Sequence, residues 1–275
     1  MQNFTARDGL TLAYRDEGEG LPVLALSGLT RNSEDFNFIA PHLSRVRLIR
    51  MDYRGRGASD WGPYQTYTVP QEADDALMLL DHLGLDQVAI LGTSRGGLIA
   101  MGIAMAAKER LLGVCLNDVG PVINPSGLDN IMGFLGRAPS ARFFKDAAEA
   151  RASAMTAAGF HNVPMERWDA EVRHLYAQSE TGLKNRYDPT LRDAVIEAGA
   201  QPTPDLWPYF DALEGVPVAL IHGENSDLLT DDTVGEMRRR NPDMRYGRVA
   251  DRGHVPFLDE PEALETIHDW LEDMR

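Results

Sequence analysis

The 275-residue chain lacks the features that would place it outside a reducing compartment or in a membrane. Its single cysteine, Cys115, excludes a disulfide framework within the chain and is typical of a reducing compartment. The N-terminal stretch has neither a basic start nor an apolar core, so we expect no secretory signal. No apolar run reaches the roughly 18 residues that a membrane span requires. We therefore expect a cytoplasmic protein with no membrane partner.

Positive charge is also scarce. The chain has 27 lysine and arginine residues against 42 aspartate and glutamate residues, a formal net charge of −15. Such a surface repels nucleic acid and anionic lipid, so we expect neither as a partner. The seven histidines show no metal-like grouping, and one cysteine cannot build a thiolate site, so no metal or cofactor is expected. The glycine-rich stretch "YRGRGAS" (53–59) lacks the spacing of a dinucleotide-binding loop, and its arginines are expected to brace the loop.

The sequence does contain an alternation of short β-rich runs and longer helical patterns. Several runs are apolar throughout, as expected for strands that are covered on both faces of a sheet. The alternation predicts an α/β fold with helices on both faces of the sheet. The predicted strands are residues 10–16, 22–28, 47–53, 87–93, 113–119, 217–223 and 244–250.

Residues 121–208 differ from the rest of the chain. They contain several helical patterns, one of them at 165–178, but no convincing strand. We interpret this segment as a helical insertion, with residues 1–120 and 209–275 forming the sheet-containing core. Insertions of this kind lie over strand ends, where α/β proteins bind ligands.

The stretch "LGTSRGG" (91–97) crowds glycines around Ser94, between an apolar strand and an apolar helix. A nucleophilic serine projects from a tight strand-to-helix corner, where Gly92 and Gly96 would avoid clashes of Cβ atoms. The helix N-terminus adds free N–H groups and a positive partial charge beside the hydroxyl. The pattern predicts a nucleophile at Ser94, although a plain strand-to-helix turn with an N-capping serine would have the same sequence.

A serine nucleophile needs a base and an acid, and candidates for both follow later strands. His254 would take the serine proton during attack. Asp227 would orient the imidazole and stabilise its charged form. Asp118 also follows a strand and is the rival for this acid; it could instead bind loop backbone or face the substrate.

The negative oxygen of a tetrahedral intermediate needs two N–H donors. The residue after the nucleophile, Arg95, would supply one from its backbone. The loop after the strand at 22–28 offers the other at Leu29, and Gly28 would let this loop approach the serine. The sequence therefore predicts an oxyanion hole at Leu29 and Arg95, although a simple strand-to-helix loop remains an alternative.

Together these motifs resemble the α/β-hydrolase superfamily over nearly the whole chain. In family order they are "LSGLTRN" (26–32), "MDYRGRGASD" (51–60), "GTSRGG" (92–97), "HGENSDLL" (222–229) and "DRGHVPFLDEPE" (251–262). The resemblance implies an eight-stranded, mostly parallel sheet, a helical cap after the sixth strand, and a triad of Ser94, Asp227 and His254. The eighth strand would lie near the N-terminus, within residues 2–7.

The chain departs from this family in two places. Many members have His-Gly in the oxyanion loop, where this chain has Ser27 and Gly28. Since the donor there is a backbone N–H, catalysis should survive this change. Many members also place the acid three residues after the glycine that ends its strand, whereas Asp227 is four residues after Gly223. The second departure concerns the acid and leaves the assignment of Ser94 unchanged.

Serine at the nucleophile position excludes family members that attack with a carboxylate, such as haloalkane dehalogenases and epoxide hydrolases. The resemblance then implies hydrolysis of a small or medium carboxylic ester, with a lactone or carbon–carbon bond as the alternative. Besides Asp118, the candidate substrate contacts are Met132, Phe134, Trp207 and Phe257, each of which could instead pack in the core. The complete set of serine, acid and histidine disfavours a non-catalytic binding module. The motifs do not decide between a monomer and a homodimer.

Overall fold

The computed structural model describes residues 1–202 and 204–275, and most of its strands form one large sheet. The strands are β1 (Gln2–Thr5), β2 (Thr11–Glu17), β3 (Leu21–Leu26), β4 (Val46–Met51), β5 (Val88–Thr93), β6 (Leu111–Asn117), β7 (Tyr176–Ser179), β8 (Gly182–Asn185), β9 (Val218–Gly223) and β10 (Arg245–Val249). Eight of them pair in the order β1-β2-β4-β3-β5-β6-β9-β10. The predicted eight-stranded sheet is confirmed, including its N-terminal strand.

The direction of the strands makes one edge of the sheet suitable for a site. All neighbouring pairs from β4 to β10 are parallel, whereas β2 pairs antiparallel with both β1 and β4. In the sheet, β3 lies between β4 and β5. The chain therefore passes from β3 to β4 on one side and then crosses to β5 on the other side. Ligands of α/β proteins bind at the carboxyl ends of strands beside such a reversal. The segments after β5, β6, β9 and β10 all begin at this edge.

Helices cover both faces of the sheet. They are α1 (Val69–His82), α2 (Arg95–Ala107), α3 (Pro125–Phe134), α4 (Phe144–Ala157), α5 (Met165–Leu175), α6 (Leu191–Gly199), α7 (Trp207–Asp211), α8 (Asp231–Arg240) and α9 (Pro261–Glu272). The side chain of Thr68 caps α1 by accepting from the Gln71 N–H, and Pro70 lies in its first turn, as the sequence pattern predicts. Within residues 1–202 and 204–275, no helix combines the length and the apolar character needed to cross a membrane.

The core has two layers, one on each face of the sheet. Every residue of β5 and β9 is buried, which explains why these strands are almost entirely apolar. On one face, Leu24 packs in a cluster with residues of α1 and α2, such as Ile99. On the other face, Val23 packs in a cluster with Trp270 of α9. The sheet is therefore fixed from both sides, and its strand ends form a rigid edge.

The segment between β6 and β9 contributes no strand to the large sheet. It contains α3 to α7 and an antiparallel hairpin of β7 and β8. The expectation of no strand in this segment was wrong, because the helical pattern at 165–178 ends earlier, at Leu175, and continues as β7. A helical segment placed after the sixth strand agrees with the expected cap, while domain boundaries at residues 121 and 208 remain a prediction.

A buried carboxylate connects this segment to the sheet. Glu171 of α5 accepts hydrogen bonds from Arg31, in the loop after β3 (3.0 Å), and from Arg151 of α4 (2.8 Å). Its side chain is only 4% exposed. Burial alone would raise the pKa of Glu171, but Arg151 and Arg31 outweigh this effect and lower the pKa to about 2.

Two glycines of α2 predict opposite effects of the same substitution. A Cβ on Gly96 would lie 2.1 Å from the carbonyl oxygen of Leu26, whereas one on Gly102 would meet only the Val69 side chain, at 4.0 Å. We expect Gly96→Ala to lower the free energy of unfolding by about 1–3 kcal/mol or more. Gly102→Ala should raise it by about 0.5–1 kcal/mol, since alanine favours helix. Urea unfolding measures both, and equal effects would contradict the close approach of α2 to β3.

The ion pairs of Glu171 predict a pH-dependent contribution to stability. Because its folded-state pKa lies below the ordinary value of 4.5, this contribution is present above that pH and is lost as the pH falls towards 2. We expect Glu171→Gln to lower the free energy of unfolding at neutral pH by on the order of 1–3 kcal/mol, and by less near pH ~3. The control Asp169→Asn removes an exposed pair with Arg173 in the same helix and should have little effect. A loss that does not change with pH in urea unfolding would contradict the role of the Glu171 charge.

Candidate active site

Ser94 lies at a sharp corner between β5 and α2. Its backbone has φ 50° and ψ −110°, a strained conformation for a residue with a side chain. The flanking glycines are required by space: a Cβ on Gly92 would lie 2.6 Å from the backbone of Gly96, and one on Gly96 would meet Leu26. The crowding of glycines thus permits a turn that lifts one hydroxyl from the edge of the sheet.

His254 contacts Ser94 on one side and a carboxylate on the other. Its Nε2 lies 2.9 Å from Ser94 Oγ, and its Nδ1 lies 2.7 Å from Oδ2 of Asp118. Since the carboxylate can only accept, Nδ1 carries the hydrogen and Nε2 is left to accept from the serine hydroxyl. The His254 side chain is 13% exposed and that of Asp118 is fully buried. The three side chains form one continuous chain of hydrogen bonds.

Asp118 is held from several directions. Its carboxylate also accepts from the N–H of Gly223, at the end of β9 (2.8 Å), and from the hydroxyl of Ser226 (2.7 Å). Its backbone has φ 56°, in the left-handed region that aspartate tolerates better than most residues. With both oxygens occupied and the side chain buried, Asp118 does not face a substrate. The prediction that it contacts substrate is therefore wrong in this structure.

Asp227 does not reach the imidazole. Its Oδ2 accepts from the Asn130 side chain of α3 (2.6 Å), and its carbonyl accepts from the hydroxyl of Ser126 (3.2 Å). The prediction that Asp227 pairs with His254 is wrong, because the turn after β9 directs this side chain towards α3. Three residues after Gly223 stands Ser226, which donates to Asp118 instead. The carboxylate beside the histidine thus comes from the end of β6.

The loop after β3 and the start of α2 offer two free N–H groups near Ser94. Neither the Leu29 N–H nor the Arg95 N–H has a hydrogen-bond acceptor among the residues that the structure describes. A Cβ on Gly28 would lie 3.9 Å from the Cβ of Ser94, so this loop passes close to the serine. That distance is ordinary contact, and glycine is therefore not required at position 28 by space alone. The assignment of Leu29 and Arg95 as oxyanion donors stays a prediction.

The structure places the four apolar candidates in different surroundings. Met132 is half-buried and packs in the same cluster as Leu29, whereas Phe134 is 51% exposed. Trp207 packs against the core and under the guanidinium of Arg240, 4.2 Å from its ring centre. Phe257 lines a small cavity near the site. Met132 and Phe257 are thus the two candidates with contacts close to the reactive residues.

The small cavity adjoins the residues next to Ser94, Asp118 and His254. Its volume of about 20 Å³ has room for a water molecule. Its lining comprises Arg31, Asp35, Phe36, Phe38, Thr93, Asn117, Glu171, Val255, Pro256, Phe257 and Leu258. A much larger open groove runs along β10 between α8 and α9, but its lining contains none of the three hydrogen-bonded residues. The three hydrogen-bonded residues therefore lie at the strand ends and outside this groove.

Comparison with known proteins agrees with this fold. A family model described as alpha/beta hydrolase fold matches residues 22–261. The chain is 34% identical over 270 residues to a 3-hydroxybutyrate-oligomer hydrolase of Cupriavidus necator, covering 92% of this chain and 90% of that protein. It is 26% identical over 273 residues to a putative 2-succinyl-6-hydroxy-2,4-cyclohexadiene-1-carboxylate synthase of Bacillus subtilis, covering 96% of each.

A solved structure agrees over almost the same extent. An alpha/beta hydrolase from Novosphingobium aromaticivorans superposes with a TM-score of 0.92 at 33% identity. The match covers 98% of this chain and 97% of that one. Nearly the whole chain thus has a counterpart of known structure.

The two aspartates predict different effects on the reactivity of Ser94. We expect Asp118→Asn to slow labelling of Ser94 by a fluorophosphonate by about 10³–10⁴-fold, because an amide would favour the wrong tautomer of His254. Asp227→Asn should label at nearly the wild-type rate, since it loses only the contact with Asn130. Labelling rates from mass spectrometry measure both. The reverse order of effects would contradict the assignment of Asp118.

Proposed function

Since the chain belongs to the α/β-hydrolase family, we propose that it is a serine hydrolase that cleaves small or medium carboxylic esters through an acyl-enzyme. The observation that carries this proposal is the chain of hydrogen bonds from Ser94 through His254 to Asp118. A serine hydroxyl is a weak nucleophile at neutral pH, and a neighbouring base makes its attack on a carbonyl carbon possible. The site supplies such a base at 2.9 Å.

The first half of the reaction forms the acyl-enzyme. Ser94 Oγ attacks the ester carbonyl carbon while its proton passes to Nε2 of His254, and the carbonyl oxygen becomes negative. Asp118 holds the imidazole in the correct tautomer and stabilises its positive charge. The N–H groups of Leu29 and Arg95 receive the negative oxygen. The intermediate then collapses, and the alcohol leaves with the proton from His254.

The second half returns the serine. Water gives a proton to Nε2 of His254 and attacks the acyl carbon, and a second tetrahedral intermediate forms in the same oxyanion hole. Its collapse releases the carboxylic acid and returns the proton to Ser94 Oγ. The two halves use the same groups in opposite directions, so one histidine serves as base and as acid.

The name of one relative supports an ester substrate. Units of 3-hydroxybutyrate join through ester bonds, each between the hydroxyl of one unit and the carboxyl of the next. A relative that is named a hydrolase of such oligomers, and that matches 92% of this chain, therefore supports the ester proposal. Linear hydroxyacid esters belong among the first substrates to be tested.

A second candidate function has support from another relative. The Bacillus subtilis protein is named a synthase of a cyclohexadiene carboxylate, a name that does not describe ester hydrolysis. That name leaves room for a reaction other than ester hydrolysis, and the alternative implied by the family resemblance is cleavage of an activated carbon–carbon bond or a lactone by the same serine, histidine and aspartate. In that alternative the substrate differs, while the nucleophile and base keep their roles.

Ester turnover tests the proposal directly. We expect the protein to hydrolyse a chromogenic short-chain ester and a linear 3-hydroxybutyrate dimer, and Ser94→Ala to lower kcat by about 10⁴–10⁶-fold. The control Ser140→Ala changes an exposed serine and should leave turnover unchanged. Absorbance assays and circular dichroism separate lost chemistry from lost folding.

Two results would decide against the ester proposal. Equal ester turnover by wild type and Ser94→Ala would remove the mechanism. Cleavage of a vinylogous diketone, with no turnover of any ester or of the dimer, would favour the carbon–carbon alternative.

A further inference from the structure

A buried carboxylate behind the site has no part in the mechanism described so far. Glu72 lies near the start of α1, and its side chain is completely buried. It pairs with two guanidinium groups, that of Arg56 at 2.8 Å and that of Arg95 at 2.5 Å. Burying an ionised carboxylate is costly unless it is paired, so this cluster of three charges has to act as one unit.

Arg56 connects the carboxylate to the loop after β3. Its Nε donates to the carbonyl of Leu29 (3.0 Å), and its Nη1 donates to the carbonyl of Arg54 (2.7 Å). Tyr53 supports the same loop, because its hydroxyl donates to the carbonyl of Ser27 (3.0 Å). This carbonyl belongs to the Leu29–Thr30 peptide, so Arg56 anchors the Leu29 backbone on the side that follows its Cα. The Leu29 N–H lies in the preceding peptide, whose Gly28 carbonyl accepts from the Arg31 N–H (3.1 Å).

Arg95 connects the same carboxylate to the start of α2. Its Nε pairs with Glu72, and its Nη2 donates to the carbonyl of Tyr67 (2.9 Å). The two residues whose N–H groups lack acceptors, Leu29 and Arg95, are therefore both attached to one carboxylate. Leu29 is attached through Arg56, and Arg95 through its own side chain.

The charge of the cluster has the sign that an oxyanion needs. Two guanidinium groups and one carboxylate leave one net positive charge on a cluster that includes Arg95 and contacts Leu29. Burial lowers the pKa of Arg56, and the charge of Glu72 opposes this effect. The cluster thus keeps two cations in a buried place by means of a single anion.

We propose that Glu72 is a positioning residue: acting through Arg56 and Arg95, it fixes the two backbone N–H groups that bind the oxyanion. This inference rests on the proposed function, because it requires a reaction at Ser94 with a developing negative oxygen. Oxyanion stabilisation depends on donors that are already in place when the charge forms. If the Leu29 backbone lost its anchor at Arg56, the adjacent N–H would be less well placed, which would lower kcat more than it changes KM.

A neighbouring ion pair provides a matched control. Asp75, three residues further along α1, pairs with Arg54 at 2.6 Å, and both side chains are completely buried. Arg54 belongs to the same loop as Arg56 but has no hydrogen bond to Leu29 or Arg95 among the described residues. Asp75→Asn therefore reproduces the cost of breaking a buried ion pair without touching the oxyanion donors.

The test compares Glu72→Gln with Asp75→Asn in two assays. The first is the ratio of kcat/KM for an ester to that for the matching thionoester, whose sulfur is a poorer acceptor in an oxyanion hole. The second is the labelling rate of Ser94 by a fluorophosphonate, which needs no knowledge of the natural ester. We expect Glu72→Gln to lower both the ester-to-thionoester ratio and the labelling rate by at least roughly tenfold. The upper limit is the loss of about 10²–10³-fold that removal of one oxyanion donor causes. Asp75→Asn should leave the ratio unchanged, because a smaller folded fraction affects both substrates equally.

Arg56→Lys keeps the experiment decisive if Glu72→Gln does not fold. Lysine retains the positive charge opposite Glu72. Its single ammonium group cannot reach the Leu29 carbonyl and the Glu72 carboxylate at the same time, as the guanidinium does. We expect the same fall in the ratio and in labelling. A wild-type ratio and labelling rate in Glu72→Gln, or in Arg56→Lys, would overturn the inference. A wild-type protein that labels but hydrolyses no ester would refute the ester proposal alone, and one that does not label would refute both.

Discussion

The imidazole of His254 has to be held from two sides at once, and the order of the strands makes this possible. Ser94 follows β5, Asp118 follows the neighbouring β6, and His254 follows β10. Between β6 and β10 lies β9, whose last residue, Gly223, donates its N–H to Asp118. Because these strands are parallel, their carboxyl ends meet at one edge of the sheet. Groups separated by 160 residues in sequence thereby come within hydrogen-bond distance.

The same sheet holds the strained backbone of the site. Ser94 and Asp118 both have positive φ, which costs on the order of 1–3 kcal/mol for each residue. Each nevertheless donates its N–H to the next strand: Ser94 to the carbonyl of Asn117 (2.9 Å), and Asp118 to that of Ile221 (2.8 Å). These bonds extend the parallel ladder just beyond the strand ends. The two strained residues, Ser94 and Asp118, are therefore held by ordinary sheet hydrogen bonds at the ends of their strands.

Local sequence predicted that Ser94 and His254 meet, as they do in the structure, but predicted Asp227 beside the imidazole, where Asp118 lies instead. The tight turn at Ser94 requires glycines on both sides, and these are visible in the sequence. His254 lies in a motif with a recognisable pattern. The acid has neither, because Asp118 and Asp227 both follow a buried strand at the same edge of the sheet. The choice between them depends on lateral contacts, in which Ser226 supports Asp118 and Asn130 holds Asp227. The shifted spacing after Gly223 was the one sequence signal of this difference.

The fold and the cluster of Glu72, Arg56 and Arg95 also differ in whether local sequence or distant contacts determine them. Strands with fully buried runs were predicted correctly, since burial on both faces requires apolar residues throughout. The hairpin of β7 and β8 was missed because it is short, half-buried and continuous with a helical pattern. Glu72 lies in an amphipathic helix, where a carboxylate is expected to face solvent, and only its partners Arg56 and Arg95 explain its burial. A side chain whose role is set by a partner from a distant segment leaves no periodic signal in the sequence. The proposed support of the oxyanion donors therefore rests on the structure, in which Arg56 and Arg95 pair with one carboxylate.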